Sequence, residues 1–256
     1  MSPCLFAIFI DDLVTKLKSL GLDCNTILIC ISIFLYGDDI MLISPSVSKL
    51  QTMIHLCKSE LLDLDMSLNV KKICLHALWP PSQRYMRQLT TLGGDLLAWV
   101  GICRYLAVYF SSARTFKCCF DNCKASFYRS VNAIYGRLGR CASPELIVHL
   151  LSSKCMPVLL YGLDFCPENV TELRSLEHPV TMAFMKIFNT NSIDIVSYCQ
   201  SAFGFHSGCE QVHRSKINFL AKLNQCQNSL CTSLSANRVA RELSLLRIQL
   251  SALAQR

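Results

Sequence analysis

The stretch that most limits what this chain can fold into is residues 27–44, an apolar run interrupted by Gly37-Asp38-Asp39. On both sides the side chains are β-branched, aromatic, Leu or Met. That composition predicts two short buried strands joined by a tight turn, with Gly37 supplying the backbone freedom. Asp38 and Asp39 then sit at the tip of a rigid hairpin. Adjacent carboxylates in an apolar setting are costly unless something neutralises them. A hard divalent cation with oxygen ligands does so, and two such ions can clamp the attacking and leaving oxygens of a phosphoryl transfer. Gly and Asp are equally favoured in ordinary solvated turns, so both readings stand at this point.

The run needs a core to pack against, and the chain has the material for one. Hydrophobic residues make up 52% of the 256 residues and charged residues 17%, which excludes a disordered chain and allows one or two domains. No segment reaches the ~18 uninterrupted apolar residues of a membrane span. Residues 4–10 are apolar, but no cation precedes them and Asp11-Asp12 follows, so no signal peptide is expected. The expected setting is intracellular, nucleus or cytoplasm, with no membrane partner. The 16 cysteines include no Cys-x-x-Cys pair and are expected to be reduced core thiols. Cys199, His206, Cys209 and His213 are the sharpest alternative, a zinc site with mixed spacing.

Around the run, the apolar periodicity is helical. Leu5, Phe6, Ile8, Phe9, Leu13 and Leu17 follow Pro3 and predict a helix over 4–20. Leu50, Met53, Ile54, Cys57, Leu61 and Leu64 predict a second helix that starts near Ser46 and packs behind the hairpin. Trp79-Pro80-Pro81-Ser82 reads as a loop, and residues 104–110 have the composition of a strand. Phe116, Phe120, Cys123, Phe127, Val131, Ile134 and Leu138 form one stripe of a helix over 114–140, with Arg114, Lys117, Lys124 and Arg129 pointing away. Ser143-Pro144-Glu145 starts another helix that Met156-Pro157 breaks or kinks, and helices are predicted over 169–189 (kinked at Pro179), 192–203, 209–230 and 234–254.

Charge is distributed unevenly. Residues 1–66 hold 4 Lys/Arg and 8 Asp/Glu, whereas residues 67–256 hold 21 and 10. An acidic segment carrying the candidate metal ligands, followed by a basic remainder, suits a nucleic-acid enzyme, and a basic helix face can track a phosphate backbone. It also suits a solvated surface.

Four short motifs occur in one order: Ser2-Pro3-x-Leu5-Phe6, Tyr36-Gly37-Asp38-Asp39, Asn69-x-x-Lys72 and Tyr105-Leu106-Ala107. Together they resemble the template-supporting motif, the Tyr-x-Asp-Asp box, the Asn-x-x-Lys motif and the Tyr-Leu-Gly primer grip of reverse transcriptases from non-LTR, LINE-type retrotransposons. Pro157-Val158-Leu159-Leu160-Tyr161-Gly162 resembles the region after their thumb. The resemblance implies an α+β chain: a partial right-hand polymerase palm over 1–112, with a catalytic β-hairpin plus helices, then an α-helical thumb over 113–165 and a helical C-terminal region over 166–256. It implies RNA-templated DNA synthesis with Mg²⁺ and deoxynucleotide triphosphates on an RNA template and a DNA primer. Asp38 would hold the metals, Asp39 would assist, Lys72 would meet the triphosphate, and Ser2, Pro3, Tyr36, Gly37, Tyr105, Leu106 and Ala107 would line the nucleic acid.

This chain departs from the family's pattern in three places. Gly37 replaces the usual Ala, which makes the box look like the Gly-Asp-Asp of RNA-templated RNA polymerases. Ala107 stands at the primer-grip glycine. The family's other metal-binding aspartate lies upstream of the template motif, where Met1 already falls, so the expectation is a chain that begins within a domain and does not polymerise by itself. A non-enzymatic nucleic-acid-binding module using the basic helix face, and an inert remnant with exposed apolar surface, are the alternatives.

Overall fold

The computed structural model describes residues 3–21, 24–26, 29–78, 87–139, 141–166, 170–228, 231–232, 239 and 242–247. The protein is α+β, 59% helix and 13% strand, with its strands in small sheets. It divides into two compact units, Met1–Lys117 and Cys118–Arg256. Among the described residues, no helix is long and apolar enough to cross a membrane.

The first unit opens with α1 (Pro3–Ser19), in which Ile10, Leu13 and Leu17 are fully buried. Their spacing of three and four residues places them on one side of the cylinder. Ile8 and Phe9, expected in that stripe, are 71% and 50% exposed, because each lies about 100° or more around the helix from Ile10. Two short antiparallel strands follow, β1 (Cys24–Thr26) and β2 (Ile29–Ile31). Next comes the hairpin of β3 (Ile33–Tyr36) and β4 (Asp39–Leu42), paired in the register Tyr36↔Asp39 around a two-residue Gly37-Asp38 turn. Gly37 has φ +53°, a conformation that favours glycine.

α2 (Val47–Asp63) is the hub of this unit. Its Met53, Cys57 and Leu61 join Ile10, Leu13 and Leu17 of α1 in one cluster, against which Ile33, Ile40 and Leu42 of the hairpin pack. Lys16 of α1 and Glu60 of α2 close this layer with an ion pair at 2.6 Å. One residue around from Met53, Ile54 belongs to a second cluster with Leu75, Leu89 and Leu97. Those residues come from the sheet of β5 (Cys74–His76), β6 (Leu89–Thr90) and β7 (Leu96–Val100), in the order β5-β7-β6 with β5 and β7 parallel. The Gln51 amide fastens α2 to the sheet edge by accepting from the Thr90 N–H at 2.9 Å and donating to the Thr90 carbonyl. The loop read at residues 79–82 lies outside the described residues.

Residues 104–110 are not one strand. They form the bend of a hairpin between β8 (Ile102–Tyr105) and β9 (Val108–Ser111), whose turn residues Leu106 and Ala107 have φ +47° and +64°. A left-handed conformation costs an L-residue roughly 1–2 kcal/mol, against roughly 0.5–1 kcal/mol of extra chain entropy for glycine. Ala107→Gly should therefore stabilise the first unit by about 0.5–1 kcal/mol, measured as a higher urea midpoint at unchanged m-value. A lower midpoint would show that the turn is not strained.

In the second unit, the long helix expected from Arg114 starts only at Asp121. The residues before it include the two-residue strand β10 (Lys117–Cys118), and Phe116, expected in the stripe, is 50% exposed. In α3 (Asp121–Leu138) the stripe survives as buried Phe127 and Val131. α4 (Pro144–Leu150) is capped by Ser143 Oγ, which accepts from the Leu146 N–H at 3.4 Å. The Glu145 backbone N–H, and after it the Ser143 hydroxyl, lower the Glu145 pKa. At the expected proline break the chain neither stops nor bends into a loop. It widens into a π turn, Leu151–Cys155, before α5 (Met156–Leu159). Pro157 has no N–H and its ring crowds the carbonyl four residues back, so a wider turn lets the helix pass.

α6 (Val170–Phe188, with Pro179 inside it) and α7 (Ile193–Ala202) follow close to their expected bounds, while α8 (Gly208–Gln225) ends five residues before the expected 230, with Cys226 extended. Gly204, at φ +59°, ends α7: its N–H bonds Ser201 O at 3.0 Å, and the Phe205 N–H bonds Gln200 O at 2.8 Å. That turn delivers Phe205 edge-on to the ring of Phe184, centroids 4.9 Å apart. Of the helix expected over 234–254, residues 239 and 242–247 are helical and the rest lies outside the described residues. Of the 13 cysteines whose side chains are described, Cys57, Cys118, Cys155 and Cys166 are buried. The others occupy half-buried margins or the surface rather than the core, which corrects the expectation of core thiols.

Candidate nucleic-acid interface

The hairpin displays its two faces differently. Cross-strand partners share a face, so Ile33, Leu35, Ile40 and Leu42 form one and Phe34, Tyr36, Asp39 and Met41 the other. The first face packs on α1 and α2 through Ile33, Ile40 and Leu42. Towards the tip both faces are open: Leu35 and Phe34 are each 37% and Tyr36 67% exposed, and Gly37, Asp38 and Asp39 are exposed with them. The expectation of two buried strands is therefore corrected, because a two-stranded sheet with one helical layer covers a single face. The expected burial of the carboxylates falls with it. Asp38 and Asp39 are solvated, so they carry no desolvation cost that a cation must relieve.

The other described residues of the motifs lie on separate elements of the first unit. Tyr105 ends β8 half-buried, and its phenol pKa is pushed up first by burial and then by the negative charge of Asp39. The primer-grip-like turn and the Asp-Asp hairpin are therefore within electrostatic reach of each other inside one unit. Lys72 ends a 3₁₀ turn, Val70–Lys72, and is exposed, with no hydrogen bond or ion pair to Asp38 or Asp39 among the described residues. Arg104 lies with Cζ 5.9 Å from the centre of the Tyr109 ring. The sequence reading missed that cation–π contact, since Arg104 and Tyr109 become cross-strand partners only once the turn at Leu106-Ala107 is known. Pro3 contributes the first residue of α1, and Ser2 lies outside the described residues.

The basic helix face is corrected. Arg114 and Lys117 are exposed but precede α3 and belong to the first unit. Lys124 is half-buried, donates to Ser175 Oγ and lies 3.6 Å from Asp121 Oδ1. Arg129 is exposed and donates to Ser126 Oγ at 2.9 Å. One stripe of four phosphate contacts does not form, because the helix begins beyond two of the cations and a third is spent on internal partners.

No family model matches this chain, and no curated protein matches it.

Asp38 and Asp39 offer the hard oxygen donors that Mg²⁺ prefers. Among the described residues, however, no three His, Cys, Asp or Glu side chains are placed to hold a metal ion. A two-metal clamp draws carboxylates from more than one element. The described residues do not fit that group.

The zinc alternative fares no better. His206 Nδ1 pairs with Glu210 at 3.1 Å, while Cys209 Sγ lies 3.9 Å from His213 Nδ1 on the next turn of α8. His213 is buried, and burial followed by the charge of Lys216 holds its pKa below the usual 6.5. The folded unit thus keeps this imidazole neutral, while the unfolded chain takes up a proton as pH falls through about 6.5. Acidification from pH 7.5 to 5.5 should lower the urea midpoint of the wild type more than that of His213→Asn. Parallel losses in both would remove His213 as the cause.

Proposed function

We propose that this chain descends from a non-LTR, LINE-type reverse transcriptase, that it holds primer–template nucleic acid, and that it does not extend a primer by itself. In this reading the first unit is a palm remnant and α3 to α5 correspond to a thumb. The observation that carries it is the shared outward face of Tyr36 and Asp39, with Tyr105 close enough for the Asp39 charge to act on its phenol. Tyr105 thus lies within electrostatic range of Asp39, although 66 residues separate the two in the sequence. Exposed Tyr36, with Phe34 on the same face, supplies aromatic surface for a base or sugar. Arg114 and Lys117, in the same unit, supply charge for phosphates.

The reaction side of the proposal rests on the carboxylates. Asp38 and Asp39 have no third acidic partner beside them among the described residues. Primer extension on an RNA template with Mg²⁺ and deoxynucleotides, run beside Asp38→Asn, should give no product from either protein. A primer–template duplex should bind both, with affinity that falls steeply as salt is raised. Extension that disappears in Asp38→Asn would overturn the inactivity. Absence of binding at low salt would overturn the nucleic-acid reading as a whole.

A further inference from the structure

Apart from Lys124, Arg129 and the Cys199, His206, Cys209 and His213 group, the sequence offers no candidate site in the second unit, yet this unit contains an open cleft of about 430 Å³ between the π turn, the segment after α5, and α8. That volume falls in the range of small-ligand pockets, ~300–1,000 Å³. Its walls are of two kinds. Met156, Pro157 and Leu160 form an apolar floor, with Met156 only 1% exposed. Tyr161 and Phe165 line it as exposed residues, 55% and 48%, and Phe165 is braced by Phe219 at 6.5 Å between centroids. Into the same space faces one charged lining residue, Asp164. Ser215 Oγ donates to its Oδ1 at 2.7 Å, and Oδ2 has no hydrogen-bond partner among the described residues.

We propose that this cavity binds an organic cation, an alkylated ammonium group that the Tyr161 and Phe165 rings face and the Asp164 carboxylate neutralises. Aromatic faces attract cations through the ring quadrupole, most strongly when the cation is weakly hydrated, as quaternary ammonium groups are. The carboxylate rejects anions, and the apolar floor accommodates methyl groups that a metal ion or a bare ammonium would not need. The Ser215 hydroxyl holds Asp164 in one orientation, so little rotamer freedom remains to be lost on binding. The helix beside the floor is already widened at the π turn, a feature that recurs at functional sites. The ammonium group can come from a small molecule or from a methylated lysine side chain, and the chemistry is shared.

The test uses the full chain with ¹³C-methyl methionine, following the Met156 resonance assigned by Met156→Leu. Choline should shift that resonance saturably, and its uncharged isostere 3,3-dimethylbutanol should bind at least about tenfold more weakly. Acetyl-trimethyllysine methylamide is titrated in parallel, and whichever of the two cations binds more tightly names the source. Asp164→Asn should weaken choline at least about fivefold while leaving 3,3-dimethylbutanol unchanged. Phe165→Leu, which leaves the Asp164–Ser215 pair in place, should weaken choline a few-fold and keeps the test open if Asp164→Asn does not fold. Equal binding of choline and 3,3-dimethylbutanol, no movement of Met156 at millimolar choline, or undiminished choline binding in both variants would each overturn the proposal.

Discussion

Phe184→Ala should destabilise the second unit by about 3–5 kcal/mol, the range for removing a fully buried aromatic side chain. Phe184 is 0% exposed in α6. Its ring stacks on Phe188 at 6.0 Å and meets the edge of Phe205 at 4.9 Å, and Phe188 in turn contacts Phe203 at 5.6 Å. The loss therefore has two parts, the transfer free energy of the ring and the aromatic pairings, each worth roughly 0.5–1.5 kcal/mol. The cavity cannot be refilled by small rotations, because Phe205 is fixed by the helix-ending bonds around Gly204. The measurement is urea unfolding followed by far-UV circular dichroism. A cost below about 1 kcal/mol would mean that Phe184 is not the centre of this core.

Met53→Ala should cost the first unit about 2–5 kcal/mol. Met53 is 0% exposed on the side of α2 that meets α1 and the hairpin. It shares its cluster with Ile33, Ile40 and Leu42, so the cavity opens beneath the inner face of the Asp-Asp hairpin. Both tryptophans, Trp79 and Trp99, belong to this unit, so indole fluorescence reports its unfolding separately from the helices of the second. Met53→Leu keeps the volume and should cost under about 1.5 kcal/mol. Equal losses in the two variants would show that the site does not depend on filling this space. Primer–template affinity at 25 °C should fall in Met53→Ala and recover in Met53→Leu, since the hairpin tip is held from behind by this packing.

Several elements were legible in periodicity. α2 lies where Ser46 and the Met53, Ile54, Cys57, Leu61 repeat predict it, since a wide apolar stripe with a polar start has one solution. α6 and α7 match for the same reason. The hairpin at 33–42 was readable because Gly37-Asp38 is turn chemistry between β-formers. Three features were not readable. The turn at Leu106-Ala107 has no glycine, asparagine or proline to announce it. The helix start at Asp121 rather than Arg114 has no signal that outweighs a continuous Phe stripe. The π turn before Pro157 is one of several ways to absorb a proline.

The linear order of residues by itself determined which segments can be amphipathic helices, where the carboxylate-bearing turn falls and how charge is divided along the chain, because these depend on side chains a few positions apart. The exposure of Asp38 and Asp39, the approach of Asp39 to Tyr105, the internal pairing of Lys124 and the cavity at Asp164 depend on groups up to 66 residues apart. Those separations are bridged only when α2 has packed on both its neighbours and α6 and α8 have closed on each other. Burial and charge at a site are set by whatever comes to lie beside it, and local pattern carries no record of that neighbour.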